Sequence, residues 1–545
     1  MKNKEGFMKL YFGIFFDGTL NNKFNVGKQP PLHNSKALTL NELASGNEKD
    51  RLVIEEYINQ NSQNADDADR ALIKKYSQSE LLGDPLEDLL DGVFDRTTSY
   101  HNGISNVALL YKSYAKDQQV MYDNQYFAIY LDGIGSERGK LDDPLTASLG
   151  WTYNEKNKTR GVIGRTDKAI EQISYFLQTW VQTNTDTMVE EIIFDVYGFS
   201  RGCASARHFS NRVYKKDPIL VKAIGDALGK NWKNTHSNSA GSVRFLGIFD
   251  TVAAVFALSE GDFAGNVHDG QTGEIDITLA ANSVGKVTHL TAQDECRYNF
   301  SSNEVLPHYA SLAIPGVHSD VGGGYAKPRI ERSFISQIFH YIDEKTRKEA
   351  VAKAQKVIDD LKSRQGWNYA VTAPHAILEI QDLYSDTFKG VAVYLRREVK
   401  VGYSNIPLRL MLEAAERAGV VFPDKKQILQ QNPVPEPLQD VYQSLQQQAL
   451  DHEKGKAITP LTDEQIKRVS QDYIHTSFSY SQSAFEIKIG DDKQYLTEKQ
   501  LHSAWSDTDD VFNKITRIIK TNRPTDDFIR AVYDSNGVQI QGDGI

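Results

Sequence analysis

The sequence predicts an α/β fold, in which a mostly parallel sheet is flanked by helices. Three observations support this prediction. Short apolar runs alternate with helical stretches through the first half of the chain, five of these runs end at clusters of Gly, Asp, Ser or His, and an amphipathic helix leads directly into one run. The predicted strands span residues 9–16, 126–131, 192–197, 243–249 and 309–314.

The helix predicted over residues 163–181 has apolar side chains at helical spacing, among them Ile170, Ile173, Leu177 and Trp180. It precedes the third predicted strand, as expected for a helix that crosses over between parallel strands. In open α/β sheets, ligands and catalytic groups lie at the carboxyl ends of the strands. We therefore expect the functional site where the five apolar runs end.

Composition and charge limit the classes of function. The 545 residues are 40% hydrophobic and 25% charged, which is typical of a large globular chain with insertions or several domains. The formal net charge of −10 gives no general attraction to nucleic acid or to an anionic lipid surface. Two cysteines, Cys203 and Cys296, are too few for a disulfide framework or a four-cysteine metal site. We predict buried thiols, and neither a metal nor a cofactor.

The apolar run near the start of the sequence resembles an export signal only superficially. Residues 8–16 stop at Asp17 and no small-residue cleavage site follows. A buried strand explains the run better, and we expect a chain made in the cytoplasm without a cleaved signal. No stretch reaches 18 apolar residues, which argues against a membrane span.

The pattern of the chain divides it into two parts. We expect residues 1–330 to form the main domain, with a polar insertion at 23–95 that contains two helices. Residues 331–545 are expected to be largely helical, with 384–418 returning to the main domain. An apolar helix face is predicted over residues 334–342. Core packing is the commonest role of such a face, and a lid or a membrane contact is the alternative.

Residues 198–202 read Gly-Phe-Ser-Arg-Gly and follow a predicted strand, with a helix-compatible run directly after them. A G-x-S-x-G pentad in this context predicts a nucleophile elbow, in which a strained turn exposes the hydroxyl of Ser200. The N–H of Arg201 would then lie at a helix N-terminus and face a developing oxyanion. The alternative is a tight structural turn. A second pentad at 257–261 lacks the preceding strand.

A serine nucleophile needs a base, and the base needs an acid to orient it. Asp250 ends a predicted strand and is the candidate acid, with a helix N-cap as its alternative role. His318 follows the last predicted strand among several glycines and is the candidate base. The order Ser, Asp, His is that of the α/β-hydrolase fold. The competing histidines are His289, His308 and His475, of which His475 is the strongest; His289 also fits a supporting or core role.

The turn after the first strand has a second interpretation. Asp17 with the following Gly-Thr resembles the opening motif of haloacid-dehalogenase phosphatases. That chemistry needs a nucleophilic aspartate two positions earlier, where Phe15 stands. A cation held between Asp17 and Asp132 stays open, although their spacing does not support it. Hydrogen bonds from both aspartates to neighbouring loops are the expected role.

Six motifs occur together in a fixed order, and together they resemble the type VI secretion lipase effectors of the first class and their uncharacterised hydrolase relatives. The resemblance covers roughly residues 8–330 and 406–413. The motifs are FFDGT at 15–19, YLDGIG at 130–135, GFSRG at 198–202, FDTV at 249–252, HLTAQDECR at 289–297 and PGVHSDVGG at 315–323.

The resemblance implies an α/β-hydrolase fold and an antibacterial phospholipase that cleaves ester bonds of membrane glycerophospholipids. It places the catalytic triad on Ser200, Asp250 and His318. It also implies a spike-protein carrier, delivery into the periplasm of a competitor, and a cognate immunity protein. Because the chain has no His-Gly-Gly-Gly oxyanion loop, we expect backbone N–H groups of the turn at Gly18 to act with Arg201. A non-lipase serine esterase and a catalytically silent interaction protein are the alternatives.

Overall fold

In the computed structural model, twelve segments of the chain are described. The insertion predicted at 23–95, apart from its first four residues, lies outside them, as do its two predicted helices and the pentad at 257–261. The described segments are 7–26, 102–114, 119–121, 124–138, 161–233, 239–253, 275–297, 300–325, 328–384, 389–478, 524–525 and 527–542.

A seven-stranded sheet lies at the centre of the protein. Its strands are β1 (Phe7–Phe16), β2 (Gln119–Met121), β3 (Asn124–Leu131), β4 (Met188–Phe199), β5 (Ser242–Phe249), β6 (Lys286–Ala292) and β8 (Ser311–Ile314). The spatial order is β2-β3-β1-β4-β5-β6-β8, and all neighbours are parallel except the edge pair β2–β3. The predicted mostly parallel sheet is confirmed, and all five predicted strands belong to it.

Helices cover both faces of this sheet. On one face lie α2 (Val162–Thr183), α3 (Arg201–Tyr214) and α4 (Pro218–Leu228), and on the other lies α1 (Asn106–Ser113). In β1, alternate side chains such as Phe12 and Ile14 join the first face, whereas Phe15 joins the second. Burial on both faces explains why the parallel strands appear in the sequence as continuous apolar runs. The predicted helix over 163–181 corresponds to α2.

A second, antiparallel sheet follows the central one in the chain. Its strands are β9 (Arg329–Phe334), β10 (Phe339–His340), β11 (Ile377–Tyr384) and β12 (Lys389–Val399). Helix α6 (Glu344–Lys362) packs against it, and α7 (Gln365–Val371) follows. The helix predicted over 334–342 is wrong, because β9 and β10 both pair with β12. Pairing with a partner strand overrides the local spacing of apolar residues.

Two parts of the C-terminal half return to the central sheet. Helices α8 (Asn405–Arg417), α9 (Lys425–Gln431), α10 (Gln439–Glu453) and α11 (Asp463–Asp472) follow β12. Residues of α8, including Met411, share a buried cluster with Tyr197 and Phe245 of the central strands. Short strands β7 (Ser302–Asn303), β13 (Val532–Tyr533) and β14 (Gln539–Gln541) form a three-stranded sheet, so the last described residues pack beside the segment before β8.

Cys203 and Cys296 are buried free thiols, as predicted. Among the helices that the structure describes, none combines the length and the apolar character needed to cross a membrane.

A buried ion pair joins two central strands below the elbow. Asp195 of β4 is fully buried and accepts hydrogen bonds from Arg244 of β5, with Nε to Oδ1 at 2.8 Å and Nη2 to Oδ2 at 2.6 Å. The hydroxyl of Tyr114 donates to the same carboxylate at 2.8 Å. Arg244→Met should lower the free energy of unfolding by about 3 kcal/mol, because the buried carboxylate loses its cation.

Urea unfolding measures the effect of Arg244→Met. The control is Lys9→Met, which removes the partly exposed Lys9–Glu191 pair and should leave the unfolding midpoint almost unchanged. Equal midpoints for the two variants would contradict the importance of the buried pair.

Candidate active site

Ser200 lies at the sharp turn between β4 and α3. Its backbone has φ +58° and ψ −127°, a conformation that non-glycine residues rarely adopt. The N–H of Ser200 donates to the carbonyl of Phe249 at 3.1 Å, which holds the turn beside the end of β5. Strain that the surrounding structure maintains is typical of functional sites.

The two glycines of the pentad are required by close packing. A Cβ at Gly198 would lie 2.6 Å from the carbonyl oxygen of Gly202 and 2.7 Å from Cα of Cys203. A Cβ at Gly202 would lie 2.3 Å from the carbonyl oxygen of Phe16, at the end of β1. The Gly-x-Ser-x-Gly spacing therefore lets α3 start directly against both β4 and the turn after β1.

Asp250 follows β5 with φ +49° and is completely buried. Its Oδ2 accepts a hydrogen bond from Nδ1 of His318 at 2.5 Å. Its Oδ1 accepts from the N–H of Ala292 at 2.9 Å and from Nη1 of Arg530 at 2.6 Å. Residues 251–253, directly after Asp250, are not helical and supply none of these donors, so the N-cap interpretation does not describe this carboxylate.

His318 is the first residue of the short helix α5 (His318–Gly322), just after β8. Its imidazole packs against Phe199, the neighbour of Ser200, with ring centroids 4.6 Å apart, and against Phe300 at 5.0 Å. The backbone N–H of His318 donates to Oε2 of Glu295 at 3.2 Å. Among the described contacts, no hydrogen bond joins Oγ of Ser200 to His318; such bonds are often loose without substrate.

Electrostatics favour a neutral imidazole beside an ionised carboxylate. Burial lowers the pKa of His318 below its ordinary value; the hydrogen bond that Nδ1 donates to Asp250 opposes this shift, and the charges of Arg297 and Arg530 add to it. Burial alone would raise the pKa of Asp250, but the charge of Arg530 and the contact with His318 outweigh burial, and this pKa lies well below its usual range. With Nδ1–H donated to Asp250, the lone pair on Nε2 can accept a proton.

The competing histidines lie in other surroundings. Both ring nitrogens of His289, in β6, are hydrogen-bonded within the sheet: Nδ1 contacts Oγ of Ser311 at 2.7 Å, and Nε2 accepts from the N–H of Thr251 at 3.2 Å. Burial lowers its pKa to about 3, so it stays neutral and supports the residue after Asp250. His308 is exposed in the turn before β8.

His475 belongs to a second buried His–Asp pair. Its Nδ1 contacts Oδ1 of Asp320 at 2.7 Å, its backbone N–H donates to Oδ2 of the same residue at 3.0 Å, and its ring stacks on Tyr325 at 3.5 Å. Because Asp320 lies in α5, two residues after His318, this pair anchors the short helix that carries His318.

The turn after β1 differs from the expectation in one detail. The N–H of Gly18 donates to Oδ1 of Asp17 at 2.8 Å, so this N–H is already occupied. The other oxygen of Asp17 accepts from the hydroxyl of Tyr130, and burial raises the pKa of Asp17 to about 6. The next residue, Thr19, accepts a hydrogen bond through Oγ1 from Nη1 of Arg201 at 3.3 Å. This contact ties the turn to the start of α3.

The interpretation of Asp17 as half of a cation site finds no support in these contacts. Asp132 accepts a hydrogen bond through Oδ2 from the N–H of Arg138 at 3.1 Å, while Asp17 bonds to its own turn and to β3. Within the segments described, no group of three or more His, Cys, Asp or Glu side chains is arranged to hold a metal ion.

Two charged groups that hold the site were not predicted from the sequence. Glu295 accepts from the backbone of His318 and from the guanidinium of Arg297, and it lies inside a motif already noted, 289–297. Arg530 contacts Asp250 across 280 residues of chain. No local pattern around Arg530 signals this contact.

Comparison with known proteins agrees with the resemblance. Residues 213–342 match the family model of the type VI secretion system phospholipase effector Tle1-like catalytic domain. The solved structure of the Tle1 effector bound to the VgrG spike from the Type 6 secretion system matches with a TM-score of 0.67 and 26% identity, over 98% of this chain and 95% of that chain.

An uncharacterized protein from Pseudomonas aeruginosa matches with a TM-score of 0.34 and 15% identity, over 85% of this chain and 53% of that chain. No curated protein matches the sequence. The family model over residues 213–342 and the likeness to the Tle1 structure both support the resemblance of this chain to the type VI secretion phospholipase effectors.

Proposed function

We propose that this chain is a serine phospholipase A, which hydrolyses acyl ester bonds of membrane glycerophospholipids with Ser200, His318 and Asp250. The observation that carries the proposal is the strained Ser200 elbow beside a buried Asp250–His318 pair at 2.5 Å. The match of residues 213–342 to the model of a phospholipase effector catalytic domain supports the choice of substrate.

In the proposed mechanism, Nε2 of His318 takes the proton of the Ser200 hydroxyl while Oγ attacks the acyl carbonyl. Asp250 stabilises the imidazolium through the hydrogen bond to Nδ1. The tetrahedral intermediate collapses, His318 protonates the leaving oxygen, and a lysophospholipid departs. Water, activated by His318, then attacks the acyl-enzyme and releases the fatty acid.

We assign the oxyanion hole to backbone N–H groups of Arg201 and Thr19. The N–H of Arg201 is the first in α3 and directly follows Ser200, at the positive end of the helix dipole, which favours a developing negative charge. Thr19 replaces Gly18 as the second donor, because the N–H of Gly18 bonds to Asp17. The side-chain contact between Arg201 and Thr19 supports this assignment by keeping the two turns together.

The pH dependence of the wild-type protein follows from the state of His318. The base must be neutral, and burial lowers its pKa, so the neutral form persists to lower pH than in an ordinary histidine. We expect kcat/KM to fall on the acid side with a midpoint below about 6.5. A pH profile on a soluble ester measures this midpoint, and a value above 7 would contradict the assignment.

The biological role is proposed from the resemblance to type VI secretion effectors. The related Tle1 effector has been solved bound to a VgrG spike, and we propose a spike protein as the carrier of this chain as well. We further propose synthesis in the cytoplasm, delivery into the periplasm of a competing bacterium, an antibacterial effect, and a cognate immunity protein in the producer. Periplasmic expression should lyse cells only when Ser200 is intact.

The activity is tested with purified protein and vesicles of phosphatidylethanolamine and phosphatidylglycerol labelled separately at the sn-1 and sn-2 acyl chains. Release of labelled fatty acid, together with fluorophosphonate labelling at Ser200, is the expected result. Cleavage of a soluble ester without release from vesicles would indicate a non-lipase esterase. Failure of both hydrolysis and labelling would indicate a catalytically silent scaffold.

A further inference from the structure

We propose that Arg530 is a positioning residue of the active site, which fixes the carboxylate of Asp250; the inference rests on the proposed triad. The side chain of Arg530 is 4% exposed, and its Nη1 donates to Oδ1 of Asp250 at 2.6 Å. Its Nε donates to the carbonyl of Phe300, whose ring packs on His318. The side chain of Arg530 therefore contacts both the acid, Asp250, and the residue that packs against the base, Phe300.

Backbone pairing delivers Arg530 to this position. The N–H of Ser302 donates to the carbonyl of Ala531 at 2.9 Å, and the N–H of Glu304 donates to Tyr533 at 2.8 Å, so β13 lies on β7 on the C-terminal side of Arg530. Arg530 lies two residues before β13. Because the pairing holds β13 in place, it also fixes the path of the main chain at Arg530.

Side-chain contacts further along the same segment strengthen the anchor. Oγ of Ser535 accepts from Nη2 of the buried Arg207 at 3.1 Å, and the carbonyl of Ser535 accepts from Oγ1 of Thr278 at 2.7 Å. Ser535 therefore holds the segment without contacting Asp250, and it offers a matched control for Arg530.

The geometry of the carboxylate explains what Arg530 does. Each oxygen of Asp250 has its own donors: Oδ2 receives His318, and Oδ1 receives Arg530 and Ala292. A carboxylate held on both oxygens keeps one rotamer, and the imidazole bonded to it keeps one orientation and one tautomer. The positive charge also offsets the cost of burying the Asp250 carboxylate. Arg530 thus acts on Ser200 through Asp250 and His318.

The test measures hydrolysis of a soluble p-nitrophenyl ester by the full-length protein. Arg530→Met keeps the length of the side chain and removes its charge and its donors. We expect kcat to fall by about 10²-fold with little change in KM, because the base is no longer aligned. The acid limb of the pH profile should move to higher pH, because the cation no longer disfavours protonation of His318. For Arg530→Lys, kcat and the acid limb should lie between those of the wild type and of Arg530→Met, because lysine keeps the positive charge but lacks the several N–H donors of the guanidinium.

Two controls separate positioning from a purely structural role. Ser535→Ala removes a side-chain contact further along the segment but leaves the backbone pairing of β13 with β7 in place, so it should keep the wild-type kcat and pH profile. In Arg530→Ala, added guanidinium ion should restore part of kcat, whereas urea, which has a similar shape and no charge, should not. If Arg530→Met does not fold, as judged by circular dichroism, Arg530→Lys is used in its place. A lower kcat with an acid limb at higher pH supports the inference, and a wild-type kcat and pH profile contradict it.

A folded Arg530→Met with wild-type kcat and an unmoved acid limb would overturn the inference. So would loss of activity in Arg530→Ala that guanidinium ion does not restore while the acid limb stays in place. Ser200→Ala separates the two proposals. If Ser200→Ala is inactive and Arg530→Met is fully active, only the role of Arg530 fails; if Ser200→Ala is active, the proposed function fails.

Discussion

Replacing Ser200 by alanine is expected to lower kcat for ester hydrolysis by about 10⁶-fold, the scale seen when the nucleophile of a triad is removed. The hydroxyl is the only atom lost, and without it no acyl-enzyme forms. Alanine and serine meet the same backbone strain at φ +58°, so the folded state should be retained. Fatty-acid release from vesicles measures the rate, and thermal unfolding checks the fold.

Ser210→Ala is the matched control for this variant. Ser210 lies in the same helix, α3, is fully buried, and donates through Oγ to the carbonyl of Ala206 at 2.8 Å. Its replacement removes the same atom from the same element without touching the elbow. We expect wild-type kcat. Comparable activity of Ser200→Ala and Ser210→Ala would rule out Ser200 as the nucleophile.

The second large effect is expected for Asp250→Asn, with a loss of about 10⁴-fold in kcat. Both oxygens of Asp250 accept hydrogen bonds, so an amide must turn its NH₂ group toward a donor. Facing His318, it would force the opposite tautomer and place the proton on Nε2, where the base must accept one. Facing Arg530, it would leave a buried cation opposite a donor.

Asp195→Asn is the control for Asp250→Asn. Asp195, in β4, is also fully buried and is paired with an arginine, Arg244 of the neighbouring strand β5. Both variants should lose several kcal/mol of folding free energy, on the order of 3–5 kcal/mol, because each leaves a buried cation without its anion. Only Asp250→Asn should lose the catalytic rate. Parallel His318→Ala and His475→Ala variants identify the base: an inactive His475→Ala with an active His318→Ala would refute His318.

Local chemistry made the elbow predictable. The turn at Ser200 needs two glycines, a preceding strand and a following helix, and all of these are contiguous in the sequence. The acid Asp250 and the base His318 are predictable because each follows a predicted strand, and the carboxyl ends of parallel strands lie at one edge of the sheet. The structure places both side chains there, 2.5 Å apart.

The features that were missed depend on pairing between distant segments. Strand β6 contains lysine, threonine and histidine between its apolar residues, and only its place between β5 and β8 buries it. The apolar residues over 334–342 have helical spacing, but this segment pairs with β12 and contributes to the two strands β9 and β10. The N–H of Gly18 donates to the carboxylate of Asp17 and is therefore not directed at a substrate oxyanion. The spacing of residues in the sequence does not indicate which of these acceptors the N–H faces.

The pairing of β13 with β7 has a consequence for the order of synthesis. A chain is made from its N-terminus, and Asp250 is made 280 residues before Arg530. At ordinary rates of translation, this interval lasts on the order of 10 to 60 seconds. Once His318 has been added, 68 residues after Asp250, the nascent chain contains the serine, the acid and the base, yet it still lacks the arginine that holds the acid. A ribosome that stops between the codons for His318 and Arg530 would therefore release a chain that has all three proposed triad residues but lacks the side chain that fixes the carboxylate of Asp250.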